Sequence, residues 1–178
     1  VNLTKDVDIF RGRTEMERAS ISSRSKDFFT LNGIADATRY MLNLKTRSIP
    51  PEKQKLAIEF WETVCENMPD WQLLLDRDSN ITPKELRENY VHAYTNILNA
   101  IGIAGHVIVS HHTDWKNMLK NLSTIPWKRT DPVWQGKVMT DNVMQKNKVG
   151  IKKAADYILQ CCGSSITLDE FENKVKSK

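Results

Sequence analysis

Four histidines, three cysteines and several closely spaced acids are the side chains of this 178-residue sequence with the chemistry for catalysis or metal binding. His92 and His106 stand fourteen residues apart and His111 and His112 are adjacent, so none has the three- or four-residue helical spacing that aims two imidazoles at one metal. Cys161 and Cys162 are neighbours and Cys65 is alone on an apolar helical face. That pattern gives neither a disulfide framework nor a paired zinc site, and it fits packing residues in a reducing cytoplasm. Glu62 and Glu66 lie one helical turn apart, the ordinary setting of acids on a solvated face. The sequence contains no glycine-rich phosphate loop of the P-loop type, no GxGxxG, no GxSxG and no HExxH. It nominates no nucleophile, and neither a metal nor a cofactor is expected.

Binding chemistry is better represented. From Trp115 to Lys153 nine basic residues (Lys116, Lys120, Lys128, Arg129, Lys137, Lys146, Lys148, Lys152 and Lys153) face only Asp131 and Asp141, whereas Pro51 to Asn80 carries seven acids against three bases. The net charge of +4 is too small to argue for nucleic acid, but this segregation predicts a basic face, which attracts polyanions because each neutralised phosphate releases condensed counterions. Trp115, Trp127 and Trp134 punctuate the basic stretch and have the flat faces that stack on bases. Tryptophan in a helical domain is more often core, so the lysines are the stronger candidates. A second candidate is the run Arg11, Arg13, Arg18, Arg24 and Lys26, interleaved with Ser20, Ser22, Ser23 and Ser25. Guanidinium forks and small hydroxyls commonly meet phosphate together. Glu15 and Glu17 dilute the charge, and a solvated connector explains the same letters equally well.

These residues need a scaffold, and the composition supplies one. Forty per cent hydrophobic and 27% charged residues with only 7 glycines and 6 prolines predict a folded chain of about one domain. The most apolar stretch, Ile97 to Val109, is interrupted by Asn99, two glycines and His106 and is too short to span a bilayer. The expected fold is mainly α, with a short strand or extended segment near the N-terminus and a small hairpin at 134–144. Thr30 caps a helix carrying Leu31, Ile34, Ala37, Met41 and Leu42; Pro50 and Pro51 restart the chain into a helix through Phe60, Trp61 and Val64; Trp71 sits in a short helix after Pro69. Thr82-Pro83-Lys84-Glu85 is a capping-box signature, predicting one long helix toward Val109 in which Gly102 and Gly105 permit close packing or a kink. Asp114 is read as the cap of another short amphipathic piece, a further helix starts near Asn147, and Thr167 to Glu170 is a second capping box.

Two stretches carry a family likeness. FRGRTEMERASISSRSKDFFTL, from Phe10 to Leu31, resembles the segment that follows the DGQHR motif in DndB-type DNA sulfur-modification proteins. Trp115 with Leu119 and Leu122, then IPWKRTDPVWQG from Ile125 to Gly136, resembles a later stretch of the same family in the same order, so the likeness covers most of residues 9–160. The DGQHR motif is not in this sequence, which also lacks an initiator Met. The chain therefore reads as the C-terminal part of such a protein, with residues 1–28 a connector or strand from an N-terminal DGQHR-type domain and 29–178 a helical domain. The resemblance implies a DNA-binding transcriptional regulator of the phosphorothioation genes, whose products replace a non-bridging phosphate oxygen with sulfur. Its DNA contacts are expected from the cationic residues of both basic stretches. The alternatives are a helical scaffold that docks other DNA-modification proteins through Glu59, Glu62 and Glu66, and a non-catalytic part of a DNA-processing enzyme.

Overall fold

Gly102 and Gly105 decide how the core is assembled. They lie on α6 (Thr95–His111), the longest helix of the computed structural model, which describes residues 3–178. A Cβ at Gly102 would collide with the carbonyl of Ala37 on α2 (Leu31–Leu42), and one at Gly105 would enter the ring of Phe60 on α3 (Pro51–Glu66). Close packing is thus what these glycines provide, and α6 is buried on several sides, with α2 against one flank and α8 (Lys148–Cys161) against another. The fold is mainly helical. Among the described residues the two small strand pairs are β1 (Thr14–Glu15) parallel to β2 (Phe29–Thr30), and the hairpin β3 (Met139–Thr140) with β4 (Val143–Met144). The hairpin turns on Asp141 and Asn142, both at positive φ (48° and 62°), the pairing of a type I′ turn.

Local signals place most helix ends. Thr30 Oγ1 accepts from Gly33 N at 3.0 Å at the start of α2, and Asn43 closes that helix at φ 51°. Asn147 Oδ1 accepts from Gly150 N to open α8, and Thr167 with Glu170 forms both halves of the box that opens α9 (Leu168–Lys176). The short helix expected around Trp71 is formed as α4 (Pro69–Leu75) and takes in Pro69 as its first residue. Asp114 precedes α7 (Trp115–Met118) without a side-chain cap bond, and a 3₁₀ turn, Leu119–Thr124, follows.

The long helix expected from Thr82 to Val109 is not formed. α5 (Pro83–Asn89) is short, and only one half of its box is made, Thr82 Oγ1 accepting from Glu85 N at 3.2 Å. Tyr90 and Tyr94 are extended, a 3₁₀ turn (Val91–Ala93) lies between them, and α6 then begins. The break is made by a distant segment. Val91 N donates to Trp127 O and Arg129 N to Asn89 O, both at 2.9 Å, so residues 127–129 replace the helical bonds that the break removes. The break also buries His92 to 1% exposure, stacked on Tyr90 at 4.9 Å and edge-on to Trp71 and Trp127. Trp71 Nε1 donates to His92 Nδ1 at 3.2 Å; the ring proton therefore sits on Nε2, which donates to Asp70 Oδ2 at 3.0 Å. Burial holds the His92 pKa below its ordinary value against the opposing pull of Asp70, and that histidine holds the Asp70 carboxyl low in turn.

Residues before 29 share the core of those after it. Leu3 of α1 (Leu3–Asp6), Val7, Ile9 and Phe10 are buried. Phe10 meets Trp61 edge-on at 5.8 Å, and Phe28 meets Trp71 at 5.7 Å. No helix among the described residues is long and apolar enough to cross a membrane.

Candidate nucleic-acid interface

Seven of the fourteen cations singled out from the sequence are engaged inside the protein or beside acids. Arg11 pairs with Asp8 at 3.1 Å, and Arg13 donates to the carbonyls of Asp8, Arg11 and Leu74. Lys116 pairs with Glu59 at 3.6 Å, and Lys120 shares its groove, about 580 Å³ in volume, with Glu59, Glu62 and Glu66 of α3. Lys152 is held by Glu172 at 2.8 Å and Asp169 at 3.6 Å. Lys137 donates to Val133 O at 2.6 Å and lies 5.3 Å over Tyr157. Arg129 donates to Arg87 O, Tyr94 Oη and Asn142 O. The other seven, Arg18, Arg24, Lys26, Lys128, Lys146, Lys148 and Lys153, are exposed and form no ion pair among the described residues. Trp127 and Trp134 are core residues, stacked on each other at 5.5 Å with indole N–H groups satisfied by Leu122 O and Pro126 O, so neither offers a face to a base. Trp115 is half-buried beside Phe60.

The two basic stretches meet at one place. Ala19, Ser20, Ile21 and Ser23 of the N-terminal loop form one wall of a cleft of about 450 Å³, and Met144 and Lys146, just after the hairpin, contribute to another. The floor is built from Phe28, from Asn32 and Gly33 in the first turn of α2, and from Tyr94, Thr95 and Asn96 where α6 begins. Arg18, Arg24, Lys26 and Lys148 lie within a few residues of these walls in the chain. Two cations that the sequence did not single out complete the lining, Arg47 and Arg87. Arg47 is engaged by Asp36 through two bonds of 2.8 Å and by Asn32 at 2.9 Å, and the guanidinium holds the Asp36 carboxyl below its usual range.

Arg87 holds the loop in place. It is 3% exposed, and its guanidinium donates to the carbonyls of Asp27 (2.9 Å), Ser23 (3.3 Å) and Ser25. Burial lowers its pKa, with Tyr94 and Asp27 opposing. Its own carbonyl accepts from Tyr94 Oη at 3.0 Å and from Arg129 at 3.1 Å, and Arg129 reaches on to the hairpin turn at Asn142. One chain of bonds therefore joins the N-terminal loop, the α5–α6 break and the hairpin. An arginine on a short helix beside Leu86 carries no sequence mark of this role, because its partners are carbonyls sixty or more residues away.

The histidines and cysteines are dispersed, and the described residues contain no group of three His, Cys, Asp or Glu side chains arranged to hold a metal ion. His106 bonds to Met41 O and His112 to Ser164 Oγ. Burial pushes the Cys65 and Cys162 thiols up to about 12, far from the thiolate that redox or metal chemistry requires. What the arrangement presents is a cleft in a small, mainly helical protein, lined by Arg47, Arg87 and Lys146 against one carboxylate, Asp36.

The chain belongs to the DndB family of DNA-sulfur modification-associated proteins, whose sequence pattern matches residues 1–165. No curated protein and no solved structure matches it.

Proposed function

We propose that this chain is the DNA-contacting part of a non-enzymatic transcriptional regulator of the DNA phosphorothioation genes. The observation that carries the reading is the meeting of the Ser20–Ser23 wall and Lys146 at one cleft, with cations that lack carboxylate partners on the chain either side of it. Cations without internal partners are those that gain most from phosphate, since no existing ion pair has to be broken. Serine hydroxyls and loop amides beside them are common contacts of the DNA backbone. Family membership supports a place in DNA sulfur modification.

Fluorescence anisotropy with a labelled duplex from the promoter of the modification genes, at several salt concentrations, tests this. Affinity is expected to fall steeply as salt rises. Combined Arg24→Glu, Lys26→Glu, Lys146→Glu and Lys148→Glu substitutions weaken binding to all sequences and lower the salt slope by about one for each phosphate contact removed. Lys116→Glu with Lys120→Glu, beside the α3 acids, leaves both nearly unchanged. Binding indifferent to salt, or equal loss from both sets, rejects the reading.

A further inference from the structure

The lining of the cleft has one carboxylate, Asp36, against Arg47, Arg87 and Lys146. Asp36 is engaged by Arg47, so no carboxylate of the lining is left for Arg87 and Lys146, although Asp27, outside the lining, attracts Arg87. Arg87 is the informative one, because it is buried and forms no ion pair among the described residues; its hydrogen bonds go to neutral carbonyls. A guanidinium in that setting has satisfied donors and a charge that Asp27 opposes without forming an ion pair, and burial leaves the remaining field little screened by water.

The backbone adds to the same sign. α2, 12 residues long, and α6, 17 residues long, both start at the floor of the cleft. Their first turns abut, since a Cβ on Gly33 would lie 3.0 Å from the Thr95 side chain. Neither first turn contains an acid, and α6 has no side-chain cap. Two positive helix ends, a buried guanidinium and an unpaired lysine therefore surround one small volume. The lining also carries apolar side chains, Ile21, Phe28 and Met144. A volume of about 450 Å³ suits a ligand of small-molecule size and is far too narrow for a double helix.

We propose that this cleft binds a single nucleotide, its phosphate between Lys146 and the starts of α2 and α6, its sugar or base against Ile21, Phe28 and Met144. The inference uses the same cleft as the DNA-binding reading and goes beyond it, because it requires one unpaired or free nucleotide where that reading needs only surface contact with a duplex. Deoxynucleoside monophosphates and unpaired DNA ends present the same phosphate chemistry.

Isothermal titration of the full chain with a deoxynucleoside 5′-monophosphate is expected to show saturable one-to-one binding, weakened at least about ten-fold by Lys146→Ala. Thr95→Asp places a carboxylate at the start of α6, which favours the helix while repelling the phosphate, so binding is lost with the fold intact by circular dichroism. Lys116→Ala on the other face leaves binding unchanged. A single-stranded tetranucleotide that competes with the monophosphate assigns the site to unpaired DNA, and one that does not compete assigns it to the free nucleotide. No saturable binding at millimolar monophosphate, or binding that survives both Lys146→Ala and Thr95→Asp, overturns the proposal. Duplex affinity retained in that event leaves the DNA-binding reading standing, and nucleotide binding without duplex affinity removes that reading alone.

Discussion

Two faces of this molecule carry lysines, and they differ in what stands next to the charge. Beside α3, Lys116 and Lys120 share a groove with Glu59, Glu62 and Glu66, and the field of the pair is largely cancelled. At the cleft, Lys146 and the buried Arg87 form no ion pair among the described residues, and Asp27, which attracts Arg87, lies outside the lining. Lys116 and Lys146 belong to one basic stretch of sequence, yet only the second adds to a positive potential. The contrast teaches that charge counted along a chain becomes a binding surface only after the folded acids have been subtracted.

The largest expected effect comes from removing the anchor of the cleft. Arg87→Met leaves the Ser23, Ser25 and Asp27 carbonyls without their donor and should destabilise the fold by on the order of 3 kcal/mol. Urea denaturation measures the loss, and limited proteolysis should show new cleavage between Arg18 and Lys26. A loop that stays protected would mean that Arg87 does not organise this side.

Acid should separate the two faces next. His92 is held neutral in the folded protein, with a pKa below the ordinary 6.5. The unfolded chain takes up a proton below that pH and the folded one does not, so stability falls as pH drops below about 6.5, by at most about 1.4 kcal/mol per unit. The favourable effect of Asp70, whose carboxyl is held low, is lost only around and below its ordinary 3.8, so the range between belongs to His92 and to His106, whose pKa burial also lowers. Hydrogen exchange at pH 7 and pH 5.5 should show loosening first around Tyr90 to Thr95, at the cleft. His92→Gln should reduce the dependence, leaving the part that His106 contributes.

The smallest effect is expected on the acidic side. Lys116→Ala breaks an exposed pair with Glu59 and should change stability by less than about 1 kcal/mol in thermal denaturation. A larger loss would show that this groove is more than a solvated face, and would bring the two faces closer in character.

Helix starts were legible in the sequence because each rests on one or two neighbouring residues: Thr30, Asn147 and the Thr167–Glu170 box act on amides three positions away. The hairpin was legible for the same reason, since Asp141 and Asn142 tolerate positive φ. The break at Tyr90 was not, because the bonds that stabilise it come from Trp127 and Arg129. Of the cleft, the Ser20–Ser23 run and Lys146 stood out as basic-stretch residues. Their convergence did not, and Arg87 and Arg47 had no local signature at all, because Arg87 acts through carbonyls far away in sequence and Arg47 through Asn32 and Asp36 on a packed helix.

The two glycines of α6 also fix the geometry of its beginning. With Gly102 seated on the Ala37 backbone and Gly105 on the Phe60 ring, the helix is keyed at two points like a shaft in its housing. A slip of a single residue, about 1.5 Å along the axis and a large turn about it, would replace those hydrogens with side chains that have nowhere to go. The first turn that faces the cleft is thus registered from the middle of the molecule, and whatever binds there meets a floor that does not adjust.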